Sequence, residues 1–430
     1  MDKNRLKSAY QELFAPSLKK ATDLVVDRAE GPYLYGIDGD RYLDFVQGIA
    51  VNALGHGHPA LVEAALGQIR RLGHVSFNLV TYPQALELAE ELKRHAPGGL
   101  EAFFLANTGA EAVDGALKLA RYVTGRTSIV AFRGSFHGRT MGAASVTSSN
   151  VSFRRHYAPF MPQVYFAPYP YCLRCSFGRK PDDCGLECLE YLKQDLNYII
   201  PGEDVSAVLF EPVMGEGGYV VPPGPYVEAL GRLARDLGAL LIFDEVQTGL
   251  GRTGRLFASQ HFDVQPDVMC LGKAVGGGFP LAVIASRREI MEKWPPGAHG
   301  TTFGGHPVAC ATGLALLKIV SRPDFLAAVR EKGEYFRARL LKFKADYPAV
   351  ADVRGLGLMN ALELAKADGS PDPDLAGRIT NRLREKKILL LTCGVKGNVI
   401  RFIPPLNVEQ RLLDEVIEAL AEALAVLTKA

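Results

Sequence analysis

The sequence predicts an α/β protein: a mostly parallel sheet covered by helices on both faces, joined to a smaller α+β unit. The main observation is that short apolar runs alternate with helical patterns between about residues 102 and 285. Parallel strands that are buried on both faces form continuous apolar runs, and crossover helices connect them. A chain of 430 residues allows about two to four units of the usual size or one large two-domain enzyme. Its composition, 48% hydrophobic and 22% charged, is ordinary for a soluble globular protein.

The first elements follow from local patterns. Residues 31–45 alternate apolar and polar side chains around Asp38-Gly39, which indicates a hairpin. Pro59 then begins an amphipathic helix that runs to about Leu72. Seven apolar runs are expected to form the strands of the main sheet, at 102–105, 128–132, 164–167, 207–210, 239–243, 268–271 and 282–285.

The pattern changes after Pro307. Long helical stretches are predicted from there to about Val320 and from Pro323 to about residue 347, and a closing helix begins at Val408. Short strands are predicted between them at 359–364, 388–391 and 399–403. We therefore predict a division into an N-terminal segment that joins the small domain (1–58), a large domain (59–308) and a C-terminal small domain (309–430).

Charge and composition exclude several classes of protein. The net charge is +2 without a long run of one sign, whereas proteins that bind nucleic acid normally show a basic stripe. The first twenty residues carry charge throughout and lack the apolar core of a signal peptide. The most apolar stretch, 239–243, is far shorter than the ~20 residues that span a bilayer, and seven cysteines do not suggest a disulfide scaffold. We expect a soluble cytoplasmic protein with no nucleic-acid or membrane partner.

In an open parallel sheet, ligands bind beyond the carboxyl ends of the strands. The first run leads into Asn107-Thr108-Gly109-Ala110, a turn of small residues before a helix. Its backbone N–H groups suit a phosphate, although a plain capped helix start has the same pattern. The second run leads into Phe136, His137 and Arg139. An aromatic ring and a guanidinium beside a pocket can stack on a ligand ring and hold a carboxylate, while Phe136 also suits a core.

The strand at 239–243 is followed by Asp244 and Glu245, acids that need a cationic partner at the sheet edge. Residues 249–254 spell GxGxxG, the pattern of a dinucleotide site. The pattern fits that site poorly, because it follows two acids and precedes a weak helix start. We therefore favour another ligand.

Lys273 follows the strand at 268–271 and precedes a glycine-rich turn. The surrounding residues exclude a Walker phosphate loop, because Asp267 stands where that loop needs glycine and Ala274 where it needs serine or threonine. A lysine at a strand end can form a Schiff base with a carbonyl ligand. By itself, it also fits a solvated surface residue.

Taken together, these segments resemble the class III aminotransferases, pyridoxal-phosphate enzymes of fold type I that act mainly on ω-amino groups. The similarity runs from Tyr33 to Pro404, and the chain looks closest to 4-aminobutyrate and related ω-amino acid aminotransferases. His56 and His58 match a turn of the family, which favours a structural role over a metal pair. The matching motifs, in the family's order, are NTGAEAVDGALKLAR, FHGRT, EPVMGEGG, LIFDEVQTGLGRTG, GKAVGGGFPLA, TTFGGHPVAC, VRGLGLM and IRFIPPL.

The resemblance implies that residues 59–308 bind pyridoxal phosphate. Lys273 resembles the lysine that binds the cofactor covalently and shuttles the proton, and Asp244 resembles the partner of the pyridine nitrogen, which it keeps protonated. Thr302 resembles a threonine that reaches the phosphate of the neighbouring subunit, which implies a homodimer or larger assembly with shared active sites. The other cofactor-binding residues implied are Gly109 and Ala110 at the phosphate, Phe136 on the ring face, Gln247 at the ring hydroxyl, and His137.

For the substrate, Arg139 resembles the arginine that holds the distal carboxylate, and Arg401 the arginine for the α-carboxylate of glutamate. Glu216 resembles the glutamate that pairs with Arg401 when the amino donor has no α-carboxylate, and Glu211 is expected to support the site. These residues imply a ping-pong aminotransferase that moves the terminal amino group of 4-aminobutyrate, or a similar ω-amino acid, to 2-oxoglutarate. The products would be a semialdehyde and glutamate.

Other branches of the family share these motifs: ornithine, acetylornithine and diamine aminotransferases, and amino-acid racemases or epimerases. The combination of Arg139, Glu216 and Arg401 favours transamination and leaves the racemase open. A non-catalytic partner-binding protein is disfavoured, because it has no need for Lys273 and Asp244.

One segment departs from the family pattern. Its four cysteines have the spacing C-x2-C-x8-C-x3-C, which suits a zinc ion or an iron–sulfur cluster. The same spacing allows disulfides or free thiols in a surface insertion. The sequence leaves these alternatives open and assigns no metal to Cys172, Cys175, Cys184 and Cys188.

Overall fold

The computed structural model describes residues 3–18 and 20–428. Strands β2 (Tyr33–Gly36) and β3 (Arg41–Asp44) pair antiparallel about a turn in which Gly39 has a φ of 84°, so the predicted hairpin is confirmed. The helix predicted from Pro59 is also confirmed and ends at Arg71. The N-terminal elements are α1 (Lys3–Leu13), β1 (Val26–Glu30), β2 (Tyr33–Gly36), β3 (Arg41–Asp44), α2 (Gln47–Ala50), α3 (Pro59–Arg71) and α4 (Pro83–His95).

The seven predicted apolar runs form one seven-stranded sheet. Its elements are β4 (Ala102–Ala106), α5 (Gly109–Thr124), β5 (Ser128–Phe132), α6 (Met141–Val146), β6 (Val164–Ala167), α7 (Glu187–Tyr198), β7 (Val205–Phe210), α8 (Gly224–Asp236), β8 (Leu240–Asp244), β9 (Val268–Leu271), β10 (Ala282–Ser286) and α9 (Arg288–Met291). The spatial order is β4-β10-β9-β8-β7-β5-β6. β10 is antiparallel to both of its neighbours, and the other neighbouring strands are parallel. The mostly parallel sheet is therefore confirmed.

Helices cover both faces of this sheet, as the continuous apolar runs require. Val130 of β5 packs in a cluster with Tyr226 of α8 on one face. The next residue along the strand, Ala131, packs in a cluster with Val113 of α5 on the other face. Burying a large apolar side chain contributes about 1.5–3 kcal/mol, so both helical layers stabilise the strands that carry the site.

The C-terminal part contains α10 (Pro307–Val320), α11 (Pro323–Asp346), β11 (Val350–Leu356), β12 (Met359–Leu364), α12 (Pro373–Glu385), β13 (Ile388–Leu389), β14 (Leu391–Cys393), β15 (Val399–Phe402) and α13 (Gln410–Leu427). The predicted helices at Pro307 and Pro323 are confirmed, and the closing helix begins at Gln410, two residues after its predicted start. β11 was not predicted. In the part of the chain that the structure describes, no helix is both long and apolar enough to cross a membrane.

Two small sheets connect the ends of the chain. The first has the order β1-β2-β3-β13, and the second β11-β12-β15-β14. The single strand predicted at 388–391 is therefore wrong: it divides at Leu390, with β13 parallel to β3 and β14 antiparallel to β15. Phe45 O also accepts a hydrogen bond from Ile403 N at 2.9 Å. The N-terminal segment is thus attached beside β15, the strand that carries Arg401.

Candidate active site

A cavity of about 260 Å³ lies at the carboxyl ends of the parallel strands. Its walls come from the start of α5 and from the segments that follow β5, β7, β8 and β9. This is the edge where the sequence predicted a ligand site. The predicted residues that line the cavity are Gly109, Ala110, Phe136, His137, Glu211, Glu216, Asp244, Gln247 and Lys273.

The start of α5 forms one end of the cavity. Thr108 and Glu111 form a capping box, in which the Thr108 side chain accepts from Glu111 N at 3.2 Å. Gly109 and Ala110 are the first two residues of the helix, where N–H groups have no acceptor within the helix. A Cβ at Gly109 would lie 2.8 Å from Val246 Cγ1, so the chain approaches this end more closely than a side chain would allow. The arrangement suits a phosphate.

Asp244 and His137 form a buried pair in the middle of the site. Asp244 Oδ1 accepts from Val246 N at 3.0 Å, and Oδ2 lies 2.7 Å from His137 Nδ1. The other ring nitrogen of His137, Nε2, is buried without a hydrogen-bond partner among residues 3–18 and 20–428. A carboxylate fixed at a buried strand end suits a cationic ring nitrogen of a bound ligand.

Lys273 follows β9 and has a left-handed backbone, with a φ of 48°. Burial lowers the pKa of its amine below the usual range, while the carboxyl groups of Asp244 and Glu211 partly oppose that shift. A lowered pKa increases the share of neutral amine, which is the nucleophilic form. The position and the pKa direction both suit covalent binding of a carbonyl group.

Glu211 lines the cavity and comes directly after β7. Its two carboxylate oxygens accept from Phe136 N at 2.9 Å and from Gly215 N at 2.7 Å. Burial raises the pKa of Glu211 to about 7, and the nearby Asp244 contributes in the same direction. Glu211 therefore joins the loop that carries Phe136 to the loop that carries Glu216.

Gln247 accepts a hydrogen bond through Oε1 from Tyr219 OH at 2.6 Å. Tyr219 is fully buried and has a φ of 54°. Tyr219 was not predicted as a site residue, because a tyrosine after a glycine pair also fits an ordinary core position. The signal that could have identified this tyrosine is its position immediately after the EPVMGEGG motif.

An ion pair lies beside the cavity: Glu216 lines the cavity, whereas its partner Arg401 does not. Arg401 Nη1 donates to Glu216 Oε2 at 2.8 Å, so the two predicted substrate residues meet across 185 positions of sequence. The Arg401 side chain is only 5% exposed. Its Nε is buried without a hydrogen-bond partner in the described chain, so this guanidinium has unused donor capacity. A second carboxylate would satisfy it.

Arg139 and Thr302 do not line the cavity. The Arg139 guanidinium lies 3.9 Å from the ring centroid of Phe153, and that ring packs edge-on against Phe136 at 5.7 Å. Arg139 is thus one aromatic ring away from the cavity wall. Thr302 is exposed, next to Thr301, whose side chain accepts from Asn107 Nδ2 at 2.9 Å.

The four clustered cysteines are free thiols in this structure. They line one small cavity of about 30 Å³, but no group of three or more His, Cys, Asp or Glu side chains in the described ranges is arranged to hold a metal ion. The turn that carries the first two cysteines also carries Tyr171 and Arg174, and both of these side chains bind the carboxylate of Glu363 in β12. The segment is therefore joined to the small sheet β11-β12-β15-β14.

Two other motifs have structural contacts. His56 lies 2.8 Å from Asp44 and 3.3 Å from Asn52, within the N-terminal segment, which agrees with a structural role. The GxGxxG motif forms a turn in which Arg252 donates to the carbonyl oxygens of Leu358 and Pro404. The turn precedes a short 3-10 helix instead of opening an α-helix, so it lacks the geometry of a dinucleotide site.

This fold and this site define a pyridoxal-phosphate enzyme of the aminotransferase type. The family model described as aminotransferase class-III matches residues 14–424. The chain therefore belongs to the class-III aminotransferases and uses pyridoxal phosphate as its cofactor.

Individual relatives act on different substrates. The chain is 37% identical to a probable 4-aminobutyrate aminotransferase of Bacillus subtilis, with 92% of each protein covered. It is 36% identical to an alanine/serine racemase of Pyrococcus horikoshii, with 94% of this chain and 86% of the racemase covered. Among solved structures, a PLP-bound amine transaminase from an uncultivated Pseudomonas species matches with a TM-score of 0.88 at 30% identity, covering 96% of this chain and 97% of that one.

Proposed function

We propose that this enzyme moves the terminal amino group of an ω-amino acid to 2-oxoglutarate, with 4-aminobutyrate as the best candidate donor. The observation that carries the proposal is the ion pair between Glu216 and Arg401 at 2.8 Å. It leaves the arginine neutralised for a donor that has no α-carboxylate. The similarity to a probable 4-aminobutyrate aminotransferase over 92% of the chain supports the same donor class.

Pyridoxal phosphate, when bound, supplies a carbonyl group that takes up the amino group and a ring that accepts electrons from the broken C–H bond. Lys273 would hold this group through its amine and would then move the proton at the carbon that bears the amino group. Asp244, oriented by His137, would keep a proton on the ring nitrogen. Gly109 and Ala110 would bind the phosphate through backbone N–H groups, and Phe136 would cover the ring.

The two roles of Arg401 require a gate, by which we mean that Glu216 covers the guanidinium in one half-reaction and uncovers it in the other. During the first half-reaction, Glu216 occupies the guanidinium, so an ω-amino acid meets no unpaired charge there. During the second, Glu216 moves away and the α-carboxylate of 2-oxoglutarate takes its place, which forms a charge-assisted pair of the same kind. Arg139 does not line the cavity in this structure, so it would have to leave its contact with Phe153 to bind the distal carboxylate of both substrates. One pocket thereby accepts two dissimilar substrates in turn.

A homodimer with shared active sites belongs to the proposal. Thr302 is exposed and does not line the cavity of its own chain. We propose that this residue instead reaches the phosphate site of a neighbouring subunit. We also propose the division into a cofactor-binding domain (59–308) and a small domain built from residues 1–58 and 309–430, because β13 completes the N-terminal sheet.

The decisive experiment is an absorbance spectrum of the holoenzyme before and after addition of 4-aminobutyrate without a keto acid. The visible band of the lysine-bound cofactor should disappear and should return when 2-oxoglutarate is added. A band that 4-aminobutyrate leaves unchanged would reject this donor. Ornithine and diamines, tested in the same way, would then identify the donor branch.

The Glu216→Ala variant tests the gate. Its half-reaction with 4-aminobutyrate should become about tenfold slower at subsaturating donor, because an unpaired buried guanidinium then faces the apolar part of the donor. The half-reaction with glutamate should be unchanged or faster. The measurement is the ratio of the two single-turnover rate constants, and an unchanged ratio would show that Glu216 is not a gate.

A second candidate function is racemisation of an α-amino acid, which the 36% identity to an alanine/serine racemase favours. A racemase would use Lys273 and Asp244 in the same way, but would return the proton to the same carbon from the other face. Loss of optical rotation of one pure enantiomer, in the absence of any keto acid, is the distinguishing measurement. If the enzyme abolishes the optical rotation of one enantiomer and 4-aminobutyrate leaves its visible band unchanged, racemisation would replace the aminotransferase proposal.

A further inference from the structure

The loop that carries Glu216 is held through its main chain. Glu216 O accepts from Gly394 N at 2.8 Å, next to strand β14. Gly218 O accepts two hydrogen bonds from one guanidinium: from Arg354 Nε at 2.9 Å and from Arg354 Nη2 at 2.7 Å. The loop also packs closely, since a Cβ at Gly217 would lie 1.9 Å from Met214 Sδ. The position of Glu216 therefore depends on contacts with the small sheet β11-β12-β15-β14.

Arg354 is itself fixed on the side away from the loop. Its Nη1 lies 2.7 Å from Glu363 Oε2 and 3.0 Å from Asp352 Oδ2. The Glu363 side chain is fully buried and the Arg354 side chain is 10% exposed. The guanidinium also lies 5.0 Å from the ring centroid of Tyr171. All three guanidinium nitrogens therefore have partners. Nη1 binds the two carboxylates, and Nε and Nη2 bind the Gly218 carbonyl.

Glu363 is held in turn by its own donors. Tyr171 OH and Arg174 Nε both bind its carboxylate, and Asn398 Nδ2 donates to it at 3.2 Å. Removing one partner of a buried ion pair strongly destabilises a protein, because the other charge is left uncompensated. Arg354 is therefore held firmly enough to act as a fixed point for the loop.

We propose that Arg354 is a positioning residue for Glu216: by clamping the carbonyl of Gly218, it sets the reach of the Glu216 carboxylate to Arg401. The inference rests on the proposed gate. A looser loop would weaken the Glu216–Arg401 pair and leave Arg401 free for a larger part of the time. Arg354 would thus decide how readily the pocket accepts a second carboxylate.

The test is the Arg354→Lys variant, which keeps the positive charge but lacks the fork that binds Gly218 O twice. The ligand is glutarate, a dicarboxylate without an amino or keto group, and its dissociation constant is measured on the holoenzyme by isothermal titration calorimetry. Glutarate must displace Glu216 to reach Arg401. The variant should therefore bind glutarate about three- to tenfold more tightly, because most of one charge-assisted hydrogen bond to the loop is lost.

The double variant with Glu216→Ala shows whether the effect passes through Glu216. Glu216→Ala alone should tighten glutarate binding, and adding Arg354→Lys to it should change nothing further. If Arg354→Lys has the same effect in both backgrounds, or none in the wild type while Glu216→Ala tightens binding, the positioning role is wrong. If Glu216→Ala itself does not tighten binding, the gate fails and the inference falls with it.

Two further variants separate positioning from loss of stability. Asp352→Asn removes a partly exposed contact of Arg354. It should tighten glutarate binding by a smaller factor than Arg354→Lys does, and it keeps the proposal testable if Arg354→Lys folds poorly. Asp414→Asn, which removes an ion pair to Arg339 at 3.0 Å between α11 and α13, should leave glutarate binding within about twofold of wild type. Equal effects of Asp352→Asn and Asp414→Asn would refute the proposal.

Discussion

Replacing Lys273 with alanine should lower turnover by about 10⁴-fold or more, since general acid–base catalysis by one residue contributes up to ~10⁴-fold and covalent binding of the cofactor is lost as well. The lysine lines the cavity, and burial lowers the pKa of its amine below the usual range. The measurement is kcat in steady state, together with the visible band of the holoenzyme. The methyl side chain removes both the proton carrier and the covalent link.

Lys342→Ala is the matched control, because this lysine is exposed on α11. It should leave kcat and the visible band unchanged. Activity of the Lys273→Ala variant near the wild-type level would refute the assignment of the catalytic lysine, whatever the substrate proves to be.

Replacing Asp244 with asparagine should lower kcat by about 10³-fold, in the range observed when a preorganised charge partner is removed. The amide keeps the size of the side chain and can still meet His137, which lies 2.7 Å away. It has no negative charge to keep a proton on the ring nitrogen, so the electrons of the broken C–H bond are poorly accepted. Single-turnover rates of proton removal measure this effect directly.

The neighbouring acid provides the control. Glu245 accepts from Ala258 N at 2.6 Å and from Ser259 N at 2.7 Å, within the protein interior. Glu245→Gln should therefore lower the melting temperature while the folded enzyme keeps its kcat. If Asp244→Asn behaves like Glu245→Gln, losing stability but not rate, Asp244 is structural and the proposed role is wrong.

The main sheet was predictable because its strands are buried on both faces. Such strands are continuous apolar runs, and the seven runs became β4 to β10 with small shifts at their ends. The place of Asp244 and Lys273 followed from the same fact, since Asp244 is the last residue of β8 and Lys273 lies two residues after β9. The local sequence was therefore sufficient to predict the position of a residue at the end of a buried strand.

Contacts between residues far apart in the sequence were harder to predict. The strand predicted at 388–391 divides because its two halves pair with different strands, β3 and β15, and no local pattern reports that. Arg354 binds a carbonyl 136 positions earlier, and its motif VRGLGLM was identified without a role for the arginine. The four cysteines have a spacing that suits a metal, but spacing alone does not report that the described side chains form no metal-binding group.

The pairing of β3 with β13 has a consequence for biosynthesis. A ribosome delivers Leu43 of β3 345 residues before its partner Ile388 in β13, so the N-terminal sheet can be completed only after the strands of the main sheet have been made. Domains fold as units during translation, and every strand and loop that surrounds Lys273 emerges before Arg401. We expect a nascent chain to assemble the pocket for the cofactor before it possesses the residue that recognises the second substrate. Enzyme that is interrupted during translation would then hold pyridoxal phosphate without completing a catalytic cycle.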